Sequence, residues 1–311
     1  MISVFDKFKH VVKFSYFKKN EFVREVINND RIYYDPNIVD FHNQEQDKGT
    51  DNRLNRVSDG TAHKTSQLWG TVFRFYNFLK YVKKSNLNIL DIGCDDAFIR
   101  KMIHSGTYFS GTNYIGCDLK VKSLRKASNK MPKCNTPALF ISHDLYKGLK
   151  FIKSGTLDIV VCMEVIEHLE KDRGVYLVEE IHRCLKSDGI AFMSQPNHDP
   201  SYWYVFKKFR KTGGYPQHLC ERTKDDFDKL VSDKFEIIDS YGNLSNRKRY
   251  ISYLKSKIES STGDDLIRYR HQLDIFNRLV SIMGPEIPTQ VFGQLSYEAS
   301  GGMIHVLKKK G

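Results

Sequence analysis

The sequence predicts an α/β protein built on an open, mostly parallel sheet, and three stretches carry that prediction. Residues 88–98, Asn-Ile-Leu-Asp-Ile-Gly-Cys-Asp-Asp-Ala-Phe, pass from a short apolar run through a Gly-containing polar turn into a helical pattern at Phe98, Ile99, Met102 and Ile103. Tyr114-Ile115-Gly116-Cys117-Asp118 reads as a second strand ending in an acid, and the helix between the two is the crossover that makes them parallel. Leu157-Asp158-Ile159-Val160-Val161-Cys162-Met163 is a continuous apolar run, as expected of a strand buried on both faces.

In such a sheet a nucleotide-like ligand settles beyond the carboxyl end of the first strand, against a helix N-terminus. Asp91, Asp95 and Asp96 would repel a pyrophosphate there and attract a cation. The stretch resembles the first motif of the class I S-adenosylmethionine (SAM) dependent methyltransferases, Leu-Asp-Ile-Gly-Cys-Gly-x-Gly. Asp95 and Ala97 stand where that motif has glycines; Asp tolerates left-handed backbone angles, and Ala is small enough for close ligand approach. The resemblance implies a seven-stranded Rossmann-like sheet with its last strand antiparallel, and SAM as cofactor. Asp91, Gly93, Cys94, Asp95 and Phe98 would then surround the cofactor. An acid ending a second strand can accept from both ribose hydroxyls, which selects Asp118, with Leu119 beside it. In the family an acid or amide after the third strand meets the adenine amino group, so Asp144 and Leu145 inherit that position. As an alternative, Asp144 is a helix N-cap or turn former.

Taken in order, the chain divides into a 1–65 N-terminal segment, a 66–245 cofactor-binding core, a 246–295 insertion and a 296–311 return to the core. Residues 3–27 carry apolar side chains at helical spacing (Val4, Phe5, Phe8, Val11, Val12, then Phe22, Val23, Val26, Ile27), interspersed with lysines. That pattern predicts a basic amphipathic helix, packed on its own domain or seated on a membrane surface or polyanion. Residues 41–64 are polar and loop-like; by resemblance this N-terminal region would close over the cofactor. An apolar helix over residues 68–82 precedes the first strand. Strands follow at 138–144 and 157–163, a helix at 177–185, a fifth strand at 190–194 and a sixth at 234–240. The turn Lys186-Ser187-Asp188-Gly189 resembles the family's Leu-Lys-Pro-Gly-Gly. The insertion is helical, with patterns at Ile251, Leu254, Ile258 and at Leu266, Leu273, Phe276, Val280, and Met303 to Leu307 is the last strand.

Lys plus Arg number 49 against 37 acids, a net charge of +12, which suits an anionic partner or simply a lysine-rich surface. The six cysteines show no close pairing, and several fall in apolar strand runs, pointing to a reducing, cytoplasmic setting. No apolar run is long enough to span a bilayer.

The chemistry is expected at the end of the 157–163 strand, where Cys162 and Met163 would line the cofactor beside Glu164. Glu164-Val165-Ile166-Glu167-His168-Leu169 resembles a segment of the ubiquinone-type O-methyltransferases, of many small-molecule methyltransferases and of Hen1-type RNA 2'-O-methyltransferases. On a helix Glu164, Glu167 and His168 would share one face. They can hold Mg2+ or another divalent metal, with His218 as a fourth ligand, or they can supply a histidine base steered by a carboxylate. They can equally be a cap, a solvent-facing acid and a packing histidine. In the Hen1-type enzymes a later histidine joins such a set around Mg2+. His143 and His198 are further base candidates, and a cysteine nucleophile at Cys162 or Cys220 is not expected, since the sequence suggests no base paired with either thiol. Tyr215-Pro216-Gln217-His218-Leu219 resembles the Pro-x-His-Leu segment of type 11 methyltransferases.

Three readings follow. The first is a SAM-dependent methyltransferase acting on oxygen of a small molecule or glycan-like acceptor. The second is an RNA or other nucleic-acid methyltransferase, drawn from the net charge and from Lys207-Lys208-Phe209-Arg210-Lys211 near Tyr202, Trp203 and Tyr204. No Asn/Asp-Pro-Pro-Tyr motif of base methylation is present. The third is a methyltransferase-like binding subunit whose cofactor loop has decayed at Asp95 and Ala97.

Overall fold

A computed structural model describes residues 4–36, 78–81, 85–95, 97–104, 111–129, 138–197, 218–243, 247–295 and 299–311. The polar 41–64 stretch, most of the 68–82 helix, His198 and the 202–211 aromatic and basic cluster lie outside them.

Among the described residues nine strands form one sheet: β1 (Val23–Ile27), β2 (Asp30–Tyr34), β3 (Asn88–Ile92), β4 (Asn113–Asp118), β5 (Leu139–Ser142), β6 (Leu157–Met163), β7 (Leu185–Pro196), β8 (Phe235–Asn243) and β9 (Gly302–Lys309), in the order β1-β2-β5-β4-β3-β6-β7-β9-β8. β5, β4, β3, β6 and β7 are parallel, and β9 runs antiparallel between β7 and β8. This is the expected seven-stranded sheet with two strands added at one edge.

The added strands correct the N-terminal reading. Residues 3–27 are not one amphipathic helix but two short helices, α1 (Val4–Phe8) and α2 (Phe14–Lys19), followed by a hairpin. Glu21, at φ 56°, turns the chain after α2, and Asn28, at φ 54°, opens the two-residue hairpin loop between β1 and β2. β2 then pairs in parallel with β5. The apolar positions that mimic a helical repeat thus divide between a helical core layer and a strand pair.

The strands alternate their side chains between two cores. Leu90, Ile92, Val160 and Cys162 face one, which α5 (Lys171–Cys184), α6 (Lys224–Ser232) and the N-terminal Phe8, Val11, Val12 and Phe17 cover. Ile89, Ile159, Val161 and Phe192 face the other, under α3 (Phe98–His104) and α4 (Val121–Asn129). The N-terminal segment is therefore a layer of the fold. Val12 bridges Ile152, Lys13 N donates to Phe151 O at 2.8 Å, and Lys153 N donates to Val11 O at 2.8 Å. Between β8 and β9 stand α7 (Arg247–Ser260), α8 (Gly263–Met283) and α9 (Glu286–Leu295), with a small core of their own around Tyr250, Leu254 and Phe276.

Asp30, the first residue of β2, fastens the added hairpin to the core. Its carboxylate accepts from Arg100 Nη1 and Nη2 on α3 at 2.5 and 2.6 Å, from Ser128 Oγ on α4 at 2.8 Å and from Ala138 N at 2.9 Å. Both partners of the ion pair are almost wholly buried.

Candidate active site

The carboxyl ends of β3, β4, β5 and β6 surround a cleft of about 650 Å3. Its first wall is the turn after β3. Gly93 has φ 69°, and a Cβ built on it would lie 2.3 Å from Val165 Cγ2, so only glycine brings the turn this close to the β6 loop. Gly93 N and Cys94 N both donate to Cys117 O, tying the turn to β4. Asp95 (φ 41°) and Ala97 (φ 56°) hold the left-handed angles that the motif's glycines would supply.

Asp118 closes the turn from β4. One carboxylate oxygen accepts from Asp95 N at 3.0 Å, the other from Lys120 N at 2.9 Å. Burial raises its pKa against those two N–H groups. At the β5 end, Asp144 accepts from Tyr146 N at 2.9 Å and caps the single 3-10 turn Leu145–Lys147. The N-cap role and a place on the cleft wall thus coexist in one residue. His143 Nε2 lies 2.6 Å from Gly148 O, and burial lowers its pKa, so the ring is neutral and donates there.

Gly93, Asp95, Asp118, Leu119, Asp144, Leu145, Glu164 and His168 line the cleft. Five other positions expected around the cofactor are not on its wall. Asp91 lies beneath the turn, its carboxylate accepting from Tyr114 Oη at 2.6 Å, and burial pushes its pKa up to about 7. Cys94 and Cys162 are buried in the two cores, and burial raises both thiols, which leaves them inert. Phe98 opens α3 with an exposed ring, and Met163 packs toward the second core. Cys117, Lys120, His143, Tyr146, Val165 and Leu169 line the cleft without having been singled out as cofactor residues. Their one sequence signal is adjacency to Asp118, Asp144 and the Glu164–His168 motif.

The motif itself departs from a helix. Glu164 ends β6 with φ 56°, and only Ile166–His168 forms a turn, a 3-10 one. Glu164 N donates to Ser194 O at 3.1 Å, and its carboxylate accepts from Ser194 Oγ at 2.7 Å. Glu164 therefore does not share a face with Glu167 and His168. His218 does join those two: ligand atoms of Glu167, His168 and His218 lie within 4.8 Å of one another, and the two imidazoles meet edge to face at 4.9 Å. Leu219 N and Cys220 N, donating to Glu167 O at 2.8 and 3.0 Å, hold His218 there. Arg222 braces the same contact, reaching Cys220 O at 3.1 Å. Glu167 is 1% exposed, and Glu221 binds His218 Nδ1.

A general methyltransferase-domain family matches residues 89–189, which span β3 through the start of β7. Over these residues the chain is similar to the methyltransferases. The ubiquinone biosynthesis O-methyltransferase of Psychrobacter cryohalolentis is 25% identical to this chain over 146 residues, 46% of this chain and 53% of that protein. Its counterpart in Paracidovorax citrulli is 30% identical over 114 residues, 35% of this chain and 43% of that one. The chain thus spans about half the length of the curated relatives it matches, or less. Among solved structures, a SAM-dependent methyltransferase from Archaeoglobus fulgidus superimposes with a TM-score of 0.50 at 18% identity, covering 78% of this chain and 94% of that one. A putative sarcosine dimethylglycine methyltransferase from Galdieria sulphuraria also gives 0.50, at 10% identity, covering 82% and 90%. These two show the shared fold.

The cleft fits the cofactor of this family. The Gly93 cradle admits no side chain, and Asp118 stands at the end of the second core strand. Leu119 and Leu145 add apolar surface, and the lining acids match a cationic ligand.

Proposed function

We propose that this chain transfers a methyl group from SAM to an oxygen of a small-molecule acceptor. The observation that carries the reading is the cleft at the β3 turn, open beside Asp118 and bordered at its β6 end by Glu164 and His168. Asp118 would bind the ribose hydroxyls, Asp144 and the Leu145 backbone the adenine, and the Gly93 turn the amino-acid end. SAM supplies a methyl group on a sulfonium, already activated for displacement. The residues therefore need only bind, orient and remove a proton. His168 faces the cleft with Glu167 behind it, and Nε2 lies 4.0 Å from Glu167 Oε1, so it is the base we assign to the acceptor hydroxyl. The curated relatives are named as O-methyltransferases, which favours oxygen as the acceptor atom.

One observation favours a metal-assisted form of the same reaction. Glu167, His168 and His218 form a compact carboxylate and two-imidazole set at the acceptor side. Imidazole donors suit Mn2+ or Zn2+ better than Mg2+, so the set fits a transition metal that would orient a hydroxyl and lower its pKa. Radiolabelled methyl transfer into a metabolite extract and into total RNA tests the acceptor class: label in the small-molecule fraction is expected, and label confined to RNA would reverse the assignment. For the metal, activity should fall at least tenfold after chelation and return with Mn2+, and Glu167→Ala should abolish that return. Full activity after chelation leaves the histidine base alone.

A further inference from the structure

The cleft is unusually acidic for a ligand that carries a carboxylate of its own. Asp95, Asp118, Asp144 and Glu164 line it, against Lys120 as its lysine. Asp95 is the member that the family motif does not call for, since a glycine stands there. The structure keeps it in place by two bonds. Its backbone N–H donates to Asp118, and its own carboxylate accepts from Ser123 Oγ on α4 at 2.8 Å. That second bond fixes the side chain against α4, near enough to Asp118 for the two carboxylates to interact. The two carboxylates repel one another, and each gains when a positive charge enters between the turn and the β6 loop.

SAM and the product left after transfer, S-adenosylhomocysteine, share every group except the methyl and the sulfonium charge. A carboxylate added to the cleft wall acts on that difference in full, while its opposite effects on the shared ammonium and carboxylate largely offset one another. We propose that Asp95 is a specificity residue that makes the cleft prefer the cationic cofactor over its neutral product, and so favours SAM when the two compete for the cleft after transfer. The inference rests on the SAM reading above. A unit charge within about 8–10 Å at the effective dielectric of a half-exposed site changes affinity by roughly three- to tenfold. Asp95 is exposed, so the effect weakens as salt screens it.

Calorimetric titration of the full chain with SAM and, separately, with S-adenosylhomocysteine tests this without an acceptor. Asn tolerates the left-handed angle at position 95 and keeps a partner for Ser123, so Asp95→Asn removes the charge alone. The wild type should bind SAM more tightly than the product. Asp95→Asn should reduce that ratio three- to tenfold through weaker SAM binding, with product affinity changed less than twofold. Raising salt from 50 to 500 mM should narrow the gap between wild type and variant. Asp144→Asn should weaken both ligands together and move the ratio less than twofold. An unchanged ratio in Asp95→Asn, or an equal change in Asp144→Asn, overturns the assignment to Asp95 while the cofactor reading stands. A wild type that binds neither ligand overturns both.

Discussion

Asp91 shows how burial turns a motif acid into a stability term. Its carboxyl is pushed up from about 3.8 to about 7, so between those values the folded chain holds a proton that the unfolded chain has lost. Stability therefore falls as pH rises from about 4 to about 7 and is level in this respect above that. Asp91→Asn keeps an acceptor for Tyr114 and should flatten the dependence. At pH 8 the variant should be about 1–3 kcal/mol more stable than wild type, and at pH 4 about equal to it, by urea unfolding. Gly93 makes the opposite case, where backbone and space both forbid change. Gly93→Ala would place a Cβ 2.3 Å from Val165 at a strained φ, and should cost about 1–3 kcal/mol and weaken SAM binding at least tenfold. Differential scanning fluorimetry with and without SAM reads both effects.

At the scale of elements, what was legible in the sequence was what depends on neighbours along the chain. The runs at 88–92, 114–118 and 157–163 emerge as β3, β4 and β6 because a strand buried on both faces has to be apolar throughout. The N-terminal segment was misread because Phe8, Val11, Val12 and Phe17 serve the core from two short helices, while Val23 and Val26 belong to an edge strand. The missed signal was Asn28-Asn29 between two β-rich runs, a hairpin loop by composition. The Glu164–His168 motif looked helical by spacing, yet Glu164 turns left-handed to reach Ser194, thirty residues on, and no local pattern reports that bond. Asp30 belongs to the same class of long-range fact, since its partners lie at 100, 128 and 138. Because it fastens the hairpin to α3 and α4, Asp30→Ala should leave Arg100 buried without its carboxylate and cost about 3–5 kcal/mol. Asp30→Glu would recover little, because the bidentate pair and the Ser128 and Ala138 bonds fix the carboxylate's place. Equilibrium unfolding of both variants measures this.

Over the whole molecule, a chain of net charge +12 sets four acids, Asp95, Asp118, Asp144 and Glu164, around the cleft at the β3 turn. A net positive chain with an acidic cleft separates two forms of attraction, one for any polyanion and one for a cationic cofactor. If RNA were the acceptor, binding should weaken steeply with salt, with a log–log slope of several units. For a small acceptor we expect a shallow slope in transfer activity. The account stands on the cleft beside Asp118, and calorimetric titration of SAM into the wild type and into Asp118→Ala tests it most directly. It predicts one saturable site in the wild type and at least a thirtyfold loss in the variant. Equal binding by the two proteins, or no heat from the wild type at millimolar SAM, would contradict it.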